Sequence, residues 1–112
     1  IGIPKMDHAK VTRILSNVPV DKAFHFYTGI HQYLGVYANS LSNFCDKIQR
    51  VNVKSVEFHV PRRDFENWFQ SLGDKELAKR ISLIRTINLS GEELRRKVYE
   101  AVKLRLEELK RL

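Results

Sequence analysis

One short stretch of the chain gathers side chains that could do chemistry. An imidazole, two guanidinium groups and a carboxylate fall within six positions, and an indole follows one helical turn later: His59, Arg62, Arg63, Asp64 and Trp68. Histidine titrates near neutral pH and a neighbouring carboxylate can orient its ring, so these residues could form a small anion-binding or acid–base site. The alternative is structural, with His59 and Asp64 bonded across the intervening proline corner and capping the next helix. Polar groups at such corners usually satisfy backbone donors, which favours the structural interpretation.

Other catalytic or metal-binding patterns are missing from the sequence. His25 and His31 could meet across a turn, but two ligands make a weak site, and no CxxC, HxxxH or HExxH spacing occurs. Cys45 falls on the apolar face of a predicted helix, where a buried thiol is inert. No serine lies in a nucleophile elbow, and no glycine-rich phosphate loop is present. The sequence therefore predicts no metal, no cofactor and no catalytic residue.

Nucleic-acid binding is suggested by the charge. Lysine and arginine total 20 against 13 acidic residues, giving a net charge of +7, and a basic domain is a cue for nucleic acid. Basic residues repeat every seven positions on one predicted helix, although Glu100 and Glu107 lie beside them: Arg96, Lys103 and Lys110. Five rings could stack on bases, but a small domain more often needs such rings in its core: Phe24, Phe26, Tyr27, Tyr33 and Tyr37.

Length and composition predict one domain spanning residues 1–112. The single cysteine cannot form an internal disulfide and fits a reducing compartment. No apolar run approaches the roughly 18–20 residues of a membrane-spanning helix, and the first residues lack a signal-peptide core. We therefore expect a cytoplasmic protein with no membrane contact.

The tryptophan segment is the expected centre of the core. Four large apolar side chains follow the i, i+3, i+4, i+7 spacing of one helical face: Phe65, Trp68, Phe69 and Leu72. Pro61 is expected just ahead of this helix, in a turn or at its first position. Asp64 or Arg63 is expected as the entry residue, with Asp64 the better cap. Gly73 is expected to end the helix in a left-handed conformation, and Asp74 to cap the next one.

The same reasoning predicts the remaining elements. Aromatic residues and two glycines suggest one short β-hairpin near residues 24–37, and residues 86–89 are expected to form a connector. Residues 1–6, which contain Pro4, are expected to be a loose leading segment. Helices are predicted at residues 8–17, 40–50, 75–85 and 91–112. Residues 51–60 fit either a strand, because of their β-branched side chains, or a helix with Val53, Val56 and Val60 on one face; we expect a short helix over residues 52–60, capped by Asn52.

The last helix, residues 91–112, is the longest predicted element. Ser90 and Glu93 have the spacing of a capping box. At 22 residues the helix would be about 33 Å long, so its end is expected either to protrude or to pack against a partner. Arg105 is a misfit on its apolar face. It could extend to solvent, pair with a core carboxylate such as Asp64, or meet another chain.

Several of these patterns together resemble a family of small uncharacterised, largely archaeal domains. The resemblance covers about residues 11–112 and is sharpest in Phe58-His59, Arg63-Asp64-Phe65-x-x-Trp68 and Leu72-Gly73-Asp74. It implies a shared fold, with residues 52–60 helical, and it implies no particular activity.

The sequence thus predicts an all-α fold, a compact bundle of about five or six helices with a short hairpin near residues 24–37. The leading functional hypothesis is a non-enzymatic interaction module that binds another protein or itself. The alternatives are nucleic-acid binding through the basic surface and a small-anion or enzymatic site at His59, Arg62, Arg63 and Asp64.

Overall fold

Six α-helices and one antiparallel β-hairpin make up residues 7–112, the part of the chain that the computed structural model describes. The predicted leading segment around Pro4 lies outside this range. In chain order the elements are α1 (His8–Leu15), β1 (Phe24–Tyr27), β2 (Tyr33–Ala38), α2 (Leu41–Ile48), α3 (Val53–Arg62), α4 (Asp64–Ser71), α5 (Lys75–Ile87) and α6 (Gly91–Arg111). The predicted helical bundle with a short hairpin is confirmed. None of the helices in this range is long and apolar enough to cross a membrane.

Four helices begin directly after a capping side chain. Each cap accepts a hydrogen bond from a backbone N–H of the first helical turn: Asp7, Ser40, Asn52 and Asp74. Four predicted helix ends differ from the observed ends by two residues. Helix α2 ends at Ile48 and not at residue 50, and α3 continues to Arg62 and does not end at residue 60. Helix α1 ends at Leu15, two residues early, because Ser16 is already extended. Helix α5 continues to Ile87, into the predicted connector, and ends at Asn88 in a left-handed conformation that asparagine tolerates.

Helix α4 supplies the centre of the core, as its spacing predicts. Phe65, Trp68 and Phe69 are buried. The indole of Trp68 stacks on Phe44 of α2, with ring centroids 5.7 Å apart. Gly73 ends the segment with a φ of 98°, the left-handed conformation expected at that position.

The corner between α3 and α4 differs from the sequence prediction. Pro61 lies in the last turn of α3 and not at the start of α4. Arg63, with a φ of 67°, joins the two helices, so Asp64 is the first residue of α4 and not its cap. This arrangement frees the Asp64 carboxylate from capping, and its side chain turns to the groups at the end of α3.

The start of α6 also corrects a prediction. Ser90 precedes the helix but its hydroxyl caps no backbone N–H, so the expected capping box does not form. Glu57 of α3 replaces it, accepting a 2.8 Å hydrogen bond from the Gly91 N–H. A contact between distant segments has therefore displaced the local one.

Arg105 pairs with a core carboxylate, one of the three expected alternatives, but the partner is Asp74 and not Asp64. The Arg105 Nε donates to both Asp74 oxygens, at 3.1 and 3.0 Å, and the guanidinium also contacts Glu108 at 3.2 Å. Arg105, Glu108 and Leu109 are buried. The final turns of α6 therefore pack within the domain.

Candidate functional site

A cleft of about 520 Å³ opens between the hairpin and the corner where α3 meets α4. We call it the hairpin cleft. Its walls come from β1, from the hairpin turn at residues 29–31, from the end of α3 and from one face of α4. Four of the five residues proposed from the sequence as a ligand-binding group line it: His59, Arg62, Asp64 and Trp68.

His59 is buried at the back of the cleft with both ring nitrogens bonded. Its Nε2 lies 2.9 Å from the backbone nitrogen of Tyr27, and its Nδ1 lies 2.8 Å from Asp64 Oδ2. A backbone N–H can only donate, so Nε2 accepts, and the neutral ring carries its proton on Nδ1 and donates it to Asp64. Burial lowers the pKa of His59, outweighing the opposite effect of Asp64. The bond between His59 and Asp64 expected from the structural interpretation is confirmed.

This geometry leaves His59 little scope as a general base. A base needs an unoccupied nitrogen within hydrogen-bond reach of a substrate proton. The Tyr27 N–H occupies the only lone pair of the neutral ring, and releasing it would orphan a backbone donor. The ring therefore fastens β1, one wall of the cleft, to α3.

Arg62 lies at the edge of the cleft and makes two side-chain contacts there. Its Nε donates to Asp64 Oδ2 at 3.0 Å, and its guanidinium lies over the Phe58 ring, 4.7 Å from the centroid. Phe58 is four residues earlier on α3, so the two side chains share one helical face. About half of the Arg62 side chain is exposed, 49%. Within residues 7–112, its two terminal nitrogens have no hydrogen-bond partner, and neither has Asp64 Oδ1.

Trp68 serves both the core and the cleft. Its Nε1–H donates to the Lys22 carbonyl at 2.9 Å, a contact across 46 residues. The indole thus has no donor left for a ligand and offers only its apolar surface to the cleft. The expectation that Trp68 is internal scaffolding holds for its burial, but the same ring also forms part of a concave wall.

Comparison with known proteins gives a family without an assigned activity. A family model described as a family of unknown function, DUF5752, matches residues 6–103. The chain belongs to the DUF5752 family. No curated protein and no solved structure matches it. The chemistry of this DUF5752 domain must therefore be argued from its own residues.

Arg63 is the one predicted ligand residue that the fold takes away from the cleft. Its backbone forms the left-handed link between α3 and α4, and its side chain is exposed and does not line the cleft. Because Arg63 lies in this left-handed link and not on α3, its side chain does not share the helical face of Arg62.

Sequence reasoning missed several cleft residues. Phe58 and Asn67 could have been found, because they lie four and three positions from Arg62 and Asp64 on the same helices. No sequence pattern places the hairpin turn, with Gly29 and Ile30, next to α4. Its position depends on contacts across more than thirty residues, such as the bond from Tyr27 to His59.

The basic stripe on α6 is partly neutralised. Arg96 faces Glu100 at 3.7 Å, and the Lys103 ammonium lies 5.8 Å from the Tyr99 ring centroid. Lys110 is exposed, and none of the three basic residues lines the hairpin cleft. The nucleic-acid hypothesis stays a prediction, which a salt-titrated filter-binding assay would test.

Residues 7–112 contain no group of three or more His, Cys, Asp or Glu side chains that could hold a metal ion. The ring nitrogens of His25 contact the Tyr33 hydroxyl at 3.2 Å and the Val20 carbonyl at 2.9 Å, and both His25 and His31 line the hairpin cleft. Burial raises the pKa of the Cys45 thiol, although nearby lysines act in the opposite direction, and a raised pKa lowers its reactivity.

Proposed function

We propose that this DUF5752 domain binds a small organic acid in the hairpin cleft, with the acid group on Arg62 and an apolar body against the rings. The observation that carries the proposal is the end of the Arg62 guanidinium, which has no hydrogen-bond partner within residues 7–112 and is held at the edge of a concave aromatic surface.

Arg62 is suited to an acid because its orientation is set before a ligand arrives. Asp64 fixes Nε and Phe58 supports the guanidinium face. The terminal nitrogens therefore present a planar fork, which matches the two oxygens of a carboxylate. Such preorganisation reduces the side-chain entropy that binding would otherwise cost.

The walls of the cleft can pack against the apolar body of the ligand. Phe24, Phe58 and Trp68 contribute rings, and Ile30 of the hairpin turn faces the cleft from the opposite side although it is largely exposed. A volume of about 520 Å³ falls within the roughly 300–1,000 Å³ range of small-molecule pockets. Mostly apolar walls with a few convergent polar groups are typical of such sites.

Binding is supported better than catalysis. The imidazole, which is the usual proton-transfer group, is committed to Tyr27 and Asp64. The single cysteine is buried on α2 and does not line the cleft. The remaining polar groups can hold and orient a molecule, and none is arranged as an activated nucleophile.

The only tryptophan of the chain provides the assay, because Trp68 lines the cleft. Titration with 3-phenylpropionate, which combines a ring and a carboxylate, is expected to change its fluorescence saturably. Arg62→Gln should weaken binding by about tenfold or more, since a charge-assisted hydrogen bond contributes roughly 1.5–3 kcal/mol.

Arg50→Gln is the matched control. Arg50 is also an exposed arginine paired with a carboxylate, Asp46 at 3.4 Å, but it lies outside the cleft. It should leave the titration unchanged. A linear, unsaturable response, or equal losses in Arg62→Gln and Arg50→Gln, would remove the proposal.

A protein-interaction role, the leading hypothesis from the sequence, has a different observation in its favour. Leu83 and Ile87 lie four residues apart on α5 and are each 59% exposed, so they form an apolar strip on one helical face. The long α6 no longer supports this role, because its end packs within the domain. Size-exclusion chromatography with light scattering on the protein and on Leu83→Ser tests self-association; a monomer in both cases argues against it.

A further inference from the structure

The charged groups at the edge of the hairpin cleft indicate a narrower class of ligand than an organic acid. Arg62 and Asp64 are one ion pair, with the Arg62 Nε 3.0 Å from Asp64 Oδ2. Each keeps unpaired atoms within residues 7–112: the terminal nitrogens of Arg62 and Oδ1 of Asp64. Both side chains line the cleft and are partly exposed, 49% and 28%.

The cleft therefore presents a positive group and a negative group side by side. A ligand with only a carboxylate would satisfy Arg62 but would bring its charge close to the free Asp64 oxygen, which repels it. A ligand with only an amine would meet the opposite problem at Arg62. The complementary ligand carries a positive group and a negative group close together.

The other groups near the pair do not change this balance. On α3, the buried His59 ring is neutral, because the Tyr27 N–H donates to its Nε2 and burial lowers its pKa. From α4, Asn67 adds an uncharged amide that lines the cleft. Apart from its histidines, the cleft is lined by one cationic and one anionic side chain, Arg62 and Asp64, and so it favours a ligand of zero net charge.

We infer, building on the proposed function, that the hairpin cleft takes a free α-amino acid with an apolar or aromatic side chain. Its carboxylate lies on the terminal nitrogens of Arg62, its ammonium donates to Asp64 Oδ1, and its side chain packs against Phe58 and Trp68. An α-amino acid joins its two charged groups through a single carbon, which matches two receptors that are themselves in contact.

Three compounds with one skeleton test the inference by isothermal titration calorimetry. L-phenylalanine has both charged groups, 3-phenylpropionate lacks the ammonium, and phenethylamine lacks the carboxylate. We expect L-phenylalanine to bind about tenfold more tightly than either of the others, because each lost charge-assisted bond costs at least that factor.

Asp64→Asn separates the negative charge of the carboxylate from the hydrogen bonds that it accepts. Its amide oxygen can still accept from His59 and Arg62, while the negative charge is lost. This variant should bind L-phenylalanine no more tightly than 3-phenylpropionate, and its thermal unfolding midpoint reports whether the corner stays intact. Arg62→Gln should weaken L-phenylalanine and 3-phenylpropionate alike.

The outcomes separate the two proposals. If 3-phenylpropionate binds as tightly as L-phenylalanine and depends on Arg62, the amino-acid inference fails while the acid-binding function stands. If phenethylamine binds best, or none of the three compounds binds, both fail. An unchanged preference for L-phenylalanine in a folded Asp64→Asn protein would also overturn the inference.

Discussion

Removing the carboxylate of Asp74 should destabilise the domain far more than removing an ordinary helix cap. Asp74 accepts the first-turn N–H of Leu77 at 3.1 Å and also both bonds from the Arg105 Nε. Its side chain is fully buried, and that of Arg105 is 3% exposed. Asp74 thus joins the start of α5 to the last turns of α6.

The magnitude follows from these two roles. Loss of a cap costs about 1 kcal/mol, whereas removing one partner of a buried ion pair costs about 3–5 kcal/mol because the other charge stays buried. The terms share one side chain and do not add simply. Since Glu108 still contacts Arg105, we expect Asp74→Ala to lower the free energy of unfolding by about 3–5 kcal/mol in total. A domain of this size has only about 5–15 kcal/mol to lose.

Urea denaturation followed by circular dichroism measures the effect. The matched control is Asp7→Ala, because Asp7 caps α1 through the Ala9 N–H and has no arginine partner within residues 7–112; it should cost about 1 kcal/mol. Asp74→Asn serves as a second variant if Asp74→Ala does not fold. Equal losses for the Asp7 and Asp74 variants would refute the assignment of the Asp74–Arg105 pair as the contact that holds α6.

Three further predictions concern stability. Burial lowers the pKa of His59, so the native state binds fewer protons than the unfolded chain, and stability should fall as pH drops below about 6.5, the unfolded value. The urea midpoint should fall less steeply with pH in His59→Gln than in the unchanged protein, and parallel curves would contradict this. Trp68→Ala should cost about 3–5 kcal/mol in the same assay, and a loss under about 1 kcal/mol would contradict the burial of the indole. Ser90→Ala should cost less than about 0.5 kcal/mol, as at an ordinary surface position, while Ser40→Ala should cost about 1 kcal/mol, because only the Ser40 hydroxyl caps a backbone N–H; a reversed order would contradict this assignment.

Most of the fold could be predicted from the sequence because its signals are local. The apolar spacing of Phe65, Trp68 and Phe69 defines the buried face of α4, and side chains such as Asn52 and Asp74 mark helix starts within a few residues. These signals arise from backbone geometry over one or two turns, so they survive in many tertiary contexts. These local signals fail where a distant group competes for the same backbone N–H. Glu57 accepts the hydrogen bond from the Gly91 N–H, and the local capping box at Ser90 does not form.

The candidate site could be predicted only in part. The bond between His59 and Asp64 spans five residues and follows from local geometry. The cleft itself depends on the hairpin, which is fixed by contacts across 32 and 46 residues at Tyr27 and Lys22. No spacing rule reaches that far. In the same way, the sequence left open whether Arg105 extends to solvent, meets another chain or pairs with a carboxylate, and it did not indicate which of 13 acidic residues would be the partner.

Mapping a ligand onto the folded protein tests the binding site most directly. In a ¹H–¹⁵N correlation spectrum titrated with 3-phenylpropionate, we expect the largest shift changes at the Trp68 indole N–H, the Asn67 side-chain amide and the Gly29 backbone amide, all of which belong to the hairpin cleft. Signals of α6 around Lys103 should stay in place. Absence of any saturable change, or changes concentrated on α6, would contradict the assignment of the hairpin cleft as the binding site.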